Sequence, residues 1–349
     1  MILKTGKAPF TDEEQDQLVT DLVSLKKPQL QEFLRLNDLP RSGTKAQIRE
    51  RVVKALHAGS LSLDRVVLFL DEVVPWGKQH VFLFQGPTGA IADWRNKGFV
   101  ADLLKQHRLG KYLNAAVPVA LPEKMRVSSI MHDRHRLRIT AIRKRDWWER
   151  NPDLDESRVI DHSVVNFRAF LHCVTRSLVA FDWDLAANTA FLQIAQLPSG
   201  SDYAQVAREF LELVDKWLDV QRFSLVDLRP AIKKLHELED AGTGGIRSHG
   251  IDYRTLEGRR FAGRSASPSD PLLGEPEIDS AMRAIRDKGL GHTGNFYWLP
   301  GTDAQPLGNP LDSEMHVIIV AYDSRINFPT PNDEQTVRHV LSRIRSYCS

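Results

Sequence analysis

The stretch that most restricts how this chain can fold runs from Leu25 to Leu56, where start and stop signals for two short helices follow one another with no room for a strand. Pro28 suits a first helical turn, because the amide it lacks would be unpaired there in any case. Leu30, Phe33 and Leu34 follow at helical spacing until Asn37 and Asp38 stop the helix, and Leu39 turns back to cover it. Pro40, Ser42 and Gly43 make a turn. Thr44 with Gln47 three residues on then reads as a capping box opening a second helix, whose inward face is Ile48, Val52, Ala55 and Leu56.

Charge singles out the same residues. Residues 22 to 56 carry eight cations, Lys26, Lys27, Arg35, Arg41, Lys45, Arg49, Arg51 and Lys54, against Glu32, Asp38 and Glu50, a net of +5. The preceding 21 residues, with Lys4 and Lys7 against five acids, sum to −3 and read as a solvated acidic lead-in, flexible or one short helix. The other 293 residues hold 37 charges of each sign. A +5 block in an otherwise neutral chain is the footprint of something that meets a polyanion. The second helix begins at Ser42-Gly43-Thr44, so its free amides and positive dipole end, flanked by Arg41 and Lys45, form a phosphate cradle.

The runs Leu25-Lys26-Lys27-Pro28-Gln29-Leu30-Gln31-Glu32-Phe33-Leu34 and Leu39-Pro40-Arg41-Ser42-Gly43-Thr44-Lys45-Ala46-Gln47-Ile48-Arg49-Glu50-Arg51-Val52 resemble a SAP domain, a small helix-loop-helix DNA-binding module. The spacing of Leu30, Leu34, Leu39, Gly43, Lys45, Ile48 and Arg51 carries the resemblance, over about a tenth of the chain. The family's usual glycine before the turn leucine is here Asp38. The resemblance implies binding of duplex DNA through backbone and groove with weak sequence preference, favouring A/T-rich tracts, through Lys26, Lys27, Arg41, Ser42, Gly43, Thr44, Lys45, Arg49 and Arg51. The core of this unit is expected to be internal to residues 22 to 56, so that removing residues 1 to 58 leaves the remainder folded.

The rest reads as mixed strand and helix. Leu63 to Val74 is an apolar helix ended by Pro75, and His80 to Phe84 is a strand; the Gly86-Pro87-Thr88-Gly89 that follows is a turn, since Ala90-Ile91 replace the Lys and Ser or Thr of a phosphate loop. Leu137 to Ile142, Val164 to Leu171, Leu178 to Asp184 and Thr189 to Ala195 alternate as strands, and a helix opens at Ser201. Met315 to Tyr322 suits a central strand, with a final helix from Asn332. Strands followed by a packing helix, twice, predict an α+β architecture with two related lobes. The expected boundaries are 1–21 lead-in, 22–58 SAP-like helices, 59–241 first lobe, 242–276 an Arg/Gly/Ser-rich loop and 277–349 second lobe.

A second basic cluster, Arg126 to Arg145, includes Arg134, Arg136, Arg138, Arg143, Lys144 and Arg145 beside Trp147 and Trp148. Cations next to aromatic faces suit a nucleic-acid surface, although residues 146 to 162, with six acids against two basic residues, are equally able to neutralise it.

Catalytic patterns are sparse. His132-Asp133-Arg134-His135 lacks a third fixed metal ligand, and His236-Glu237 lacks the second histidine of a zincin. Asp182 and Asp184, two apart on a strand, would share one face as metal-dependent nucleases need, but the next strand offers no catalytic lysine. Changing both to Asn is therefore expected to be silent. Neither cofactor nor metal is called for, Cys173 and Cys348 exclude a disulfide framework, and no run is apolar enough for a membrane span or a secretion leader. The reading is a cytoplasmic protein, associated with the nucleoid or nucleus, whose helices tether an α+β interaction domain to duplex DNA, with a protein partner or self-association through the C-terminal region. The alternatives are a metal-dependent nuclease located by the helices, and an assembly subunit whose helices dock protein; genome maintenance, transcription and phage defence all suit such a chain.

Overall fold

The computed structural model describes residues 10–89, 91–301 and 311–348; the readings at Lys4, Lys7 and Ala90 lie outside the described residues. Four helices come first, α1 (Asp12–Ser24), α2 (Lys27–Leu36), α3 (Lys45–His57) and α4 (Leu63–Val73). Next are β1 (Gln79–Gln85), α5 (Ile91–Arg95), α6 (Lys97–Gln106), β2 (Arg126–His132), β3 (Arg136–Arg150), β4 (Glu156–Ile160), β5 (Ser163–Phe167), β6 (Phe170–Asp184), β7 (Thr189–Ala195) and α7 (Tyr203–Leu218). The chain finishes with β8 (Ser224–Leu225), α8 (Arg229–Asp240), β9 (Ile246–Thr255), β10 (Arg260–Arg264), α9 (Pro276–Lys288), β11 (Gly289–Trp298), β12 (Met315–Val320), β13 (Arg325–Phe328) and α10 (Glu334–Ser346).

The α+β class holds, with helices first and then one antiparallel sheet of eleven strands in the order β10-β9-β11-β12-β13-β1-β7-β6-β3-β2, β8 pairing beside β1. Two apolar cores lie against that sheet, and β1 contributes to both. Successive side chains of a strand point to opposite faces. Accordingly Val81 and Leu83 enter a core with α8, α10 and the strands β9, β11, β12 and β13, while Phe82 and Phe84 enter a second core with α6, α7, β3, β6 and β7.

Two expectations are corrected and a third is sharpened. From Asp12 the acidic lead-in is a short helix, one of the two forms expected of it, but α1, opened by a Thr11–Glu14 capping box, is not solvated throughout, since it buries Leu18, Val19 and Leu22. Asp12, Glu13 and Asp16 are exposed while these three lie inward, a helical amphipathicity that the charge count concealed. The helical core is likewise not internal to residues 22 to 56. Leu30, Phe33, Leu34, Ile48 and Val52 pack with α1 and with Leu61, Val66, Val67, Phe69 and Leu70, the Phe33 and Phe69 rings lying 5.1 Å apart. Finally, the stretch read as an Arg/Gly/Ser-rich loop holds β9 and β10. Its arginines and glycines break up the period of two, because only Ile246, Ile251 and Tyr253 of β9 reach the apolar core.

The helices are pinned to the sheet. Arg176 of β6 pairs with Asp71 of α4 at 2.5 Å and donates to the Val119 carbonyl at 2.9 Å, and Lys26 Nζ donates to the Pro331 carbonyl at 2.9 Å. A groove of about 330 Å³ between the two parts holds Asp21, whose pKa burial pushes up to about 6 although Gln17 donates to it and Arg176 lies near. An acid raised above its unfolded value of 3.8 weakens the fold when ionised. Stability should therefore rise as pH falls from about 6 towards 4, and Asp21→Asn should remove that rise while adding on the order of 1 to 2 kcal/mol at pH 7. Thermal melts of both proteins across this range check it.

Candidate nucleic-acid interface

The turn between α2 and α3 is built by two residues with left-handed backbone. Asp38 at φ 55° occupies the position after the α2 cap, where the Leu39 amide reaches back to the Leu34 carbonyl at 2.8 Å and the Asp38 amide to the Arg35 carbonyl at 3.3 Å. This paired closure normally takes glycine, and aspartate is one of the few other residues that tolerate it. Asp38→Gly should therefore stabilise the protein by about 1 kcal/mol, raising its melting temperature, and should tighten polyanion binding by removing an acid. Gly43, at φ +119°, is the second. A Cβ there would meet Gln47 Oε1 at 2.9 Å, the atom that accepts the Thr44 amide at 2.9 Å.

Thr44 in turn accepts the Gln47 amide at 3.3 Å, completing the capping box. Lys45 and Ala46, the first two residues of α3, have no earlier helical carbonyl for their amides. Residues 41 to 47 are all exposed, so these amides, the Ser42 and Thr44 hydroxyls and the Arg41 and Lys45 cations share one open surface at a helix N-terminus. Lys27, at the start of α2, is exposed as well. Such a surface receives phosphate oxygens through both dipole and hydrogen bonds.

Three cations proposed as contacts also have partners within the protein. Arg51 donates to the Pro40 and Ser42 carbonyls and so fastens the turn. Arg49 is engaged by Asp16 and by the Thr20 hydroxyl of α1, and Lys26 by Pro331. Lys45 makes two long contacts, 3.3 Å each, to the Ser24 and Leu25 carbonyls and stays exposed. α1, absent from the sequence reading of this surface, is what neutralises Arg49.

The second basic cluster is not a free surface. Arg136 and Arg138 of β3 converge with Arg338 of α10 on Asp182, which is 1% exposed; Arg138 lies 3.0 Å and Arg338 2.7 Å from its Oδ2. Burial alone would raise the Asp182 pKa, but the guanidiniums of Arg338 and Arg136 outweigh it and hold the carboxyl below its ordinary range. Arg143 and Arg145 pair with Glu209 of α7, and Lys144 with Glu123. Among the described residues, Arg134 alone of the six is exposed without such a tie. Charge balance decided this: Arg136, Arg138, Arg143, Lys144 and Arg145 each found an acid from a distant segment.

The same geometry removes the nuclease pair. Asp182 is saturated by three arginines, and Asp184 accepts the Ala186 and Ala187 amides at 2.8 and 2.9 Å. His132 faces the Trp94 carbonyl at 2.7 Å while Asp133 accepts the His135 and Arg136 amides, so these residues do not converge. Among the described residues no three His, Cys, Asp or Glu side chains are grouped to hold a metal ion, and no helix is long and apolar enough to cross a membrane.

Two short helices joined by a left-handed turn, the second capped and with a basic N-terminus, make a helix-loop-helix unit. Residues 21–57 match the family model for the SAP domain, and the chain therefore carries a SAP domain there. A SAP domain points to nucleic-acid binding. No curated protein matches the chain. Among solved structures, the crystal structure of the di-domain ARO/CYC StfQ from the steffimycin biosynthetic pathway aligns at 14% identity over 77% of this chain and 93% of that one, with a TM-score of 0.12, a likeness too slight to carry a conclusion.

Proposed function

We propose that this protein binds duplex DNA through its SAP domain with weak sequence preference and so anchors the eleven-stranded sheet to DNA. The observation that carries the reading is the open surface at the α3 N-terminus, where Arg41, Ser42, Gly43, Thr44 and Lys45 are exposed together. Lys27 extends it along α2. Phosphate oxygens dock on the first amides of α3, Arg41 and Lys45 neutralise them, and Arg49 and Arg51 act as positioning residues that hold α1 and the turn. Contacts of this kind orient a protein on DNA without reading its sequence, which accounts for weak preference.

Lys45→Glu should weaken binding to every duplex by about tenfold or more and reduce the salt slope by about 0.9 for the phosphate no longer neutralised. Electrophoretic mobility shifts on several duplexes at graded salt measure both. Unchanged affinity in the folded variant would remove this surface from the interface, and a flat salt response of the native protein would favour protein docking by the helices.

A further inference from the structure

Half of the large apolar side chains that are exposed in the described residues lie between residues 148 and 171, among them Trp148 at 67%, Val159 at 72%, Val164 at 71% and Phe170 at 51%. They belong to one arm. β2 pairs with β3 only as far as Ile142 and β7 with β6 only from Val179, whereas β3 and β6 stay paired out to Arg150 and Phe170. The ribbon therefore runs on beyond its neighbours and ends in the separate β4–β5 hairpin. Asp161 at φ 48° and His162 at φ 62° close that hairpin with two left-handed residues, the backbone that matches strand twist.

This arm has no core of its own. Val159 and Val164 pair on one face of the hairpin, while Ile160, Val165 and Phe167 point the other way, all exposed. A two-stranded hairpin alone is marginal in water, and apolar patches beyond a few hundred Å² mark contact surfaces. Residues 146 to 172 also carry six acids against three arginines, a net of −3, which repels a nucleic-acid backbone. The occupant has to be apolar and basic.

Such a surface exists at the far end of the same sheet. Among the described residues β10 is the terminal strand, paired only with β9, so one row of its backbone groups has no strand beside it. Residues 254 to 264 hold Arg254, Arg259, Arg260 and Arg264 against Glu257, a net of +3, with all four arginines exposed. Leu256 at 82%, Phe261 at 37% and Leu290 at 40% add exposed apolar area beside them. Seven strand spacings of about 4.8 Å separate β10 from β6, roughly 34 Å, and the ribbon runs along the strands rather than across them. An arm cannot reach its own basic edge.

We infer that the acidic, apolar β-arm of one copy docks on the basic β9–β10 edge of a second copy. This contact is heterologous, with different surfaces on the two sides, so repetition gives a ring or a filament rather than a closed two-fold dimer. Opposite charges set the register, the apolar side chains supply the burial, and the open edges of hairpin and β10 can pair their backbones. On DNA, such a chain of copies would line up SAP domains along the duplex.

Sedimentation velocity on nuclease-treated full-length protein, from low to high micromolar, tests it. Native protein should form species that grow with concentration. Arg254→Glu/Arg259→Glu should alone cut association by about tenfold or more, as should Glu149→Lys/Asp153→Lys, because each places like charges together. Mixing the two variants should restore association, since each then meets an opposite partner. Val159→Thr/Val164→Thr should also dissociate the assembly, with circular dichroism confirming that every variant folds. A monomer at all concentrations overturns the inference, as does association that survives both charge reversals or a mixture that fails to reassemble.

Discussion

Replacing Asp182 by Asn should lower stability by roughly 3 to 5 kcal/mol and the melting temperature by about 10 °C, because the change strands three guanidiniums around a buried neutral group. Arg136, Arg138 and Arg338 come from β3 and α10, so this single carboxylate ties the last helix to the sheet. Asp184→Asn is the matched control. Asp184 is exposed and accepts two turn amides, which an Asn side chain still accepts through its oxygen, so its effect should stay within about 0.5 kcal/mol. Because the Asp182 pKa is depressed, its contribution is complete at neutral pH and is lost only as pH falls below the ordinary carboxylate range. Chemical denaturation of both variants checks the contrast, and a native-like Asp182→Asn protein would show that the arginine cluster is not structural. The sequence reading that both substitutions are silent is thus expected to fail at Asp182 and to hold only at Asp184.

Deleting residues 1 to 58 should have the second large effect. α4 buries Val66, Val67, Phe69 and Leu70 against α1, α2 and α3, and removing those helices leaves all four in water. At about 1.5 to 3 kcal/mol for each side chain the exposure costs roughly 6 to 12 kcal/mol, as much as the whole stability of a typical domain. The truncated chain should aggregate, seen as loss of monodisperse protein on size-exclusion chromatography. A soluble, cooperatively melting product would show instead that α4 repacks and that the helices are a detachable tether.

The contrast between helices and sheet explains which readings succeeded. In α2 and α3 every deciding interaction is local: Pro28 at the start, the Leu30, Phe33 and Leu34 face, the Thr44–Gln47 box and the Gly43 turn all act within a few residues. Local rules therefore located the helix boundaries to within a residue or so, and the spacing pattern identified the SAP domain. In the sheet the deciding partners are remote. The bonds that extend β3 to Arg150 join it to residues around Phe170, and beyond Ile142 the ribbon has no buried face to impress a period of two on Lys144-Arg145-Asp146-Trp147-Trp148.

The helices of the SAP domain, the basic surface at the start of α3 and the α+β class were legible along the chain, because capping, helical spacing and local charge are short-range properties. Only the tertiary structure decided which charges remain free. Arg49 was paired by α1, Arg143 and Arg145 by Glu209 of α7, and Asp182 by arginines as far away as Arg338. It also decided that the apolar residues between Trp148 and Leu171 stay outside every core. Burial and ion pairing depend on which distant segments meet, and a count of charges or apolar residues along the chain carries no record of that meeting.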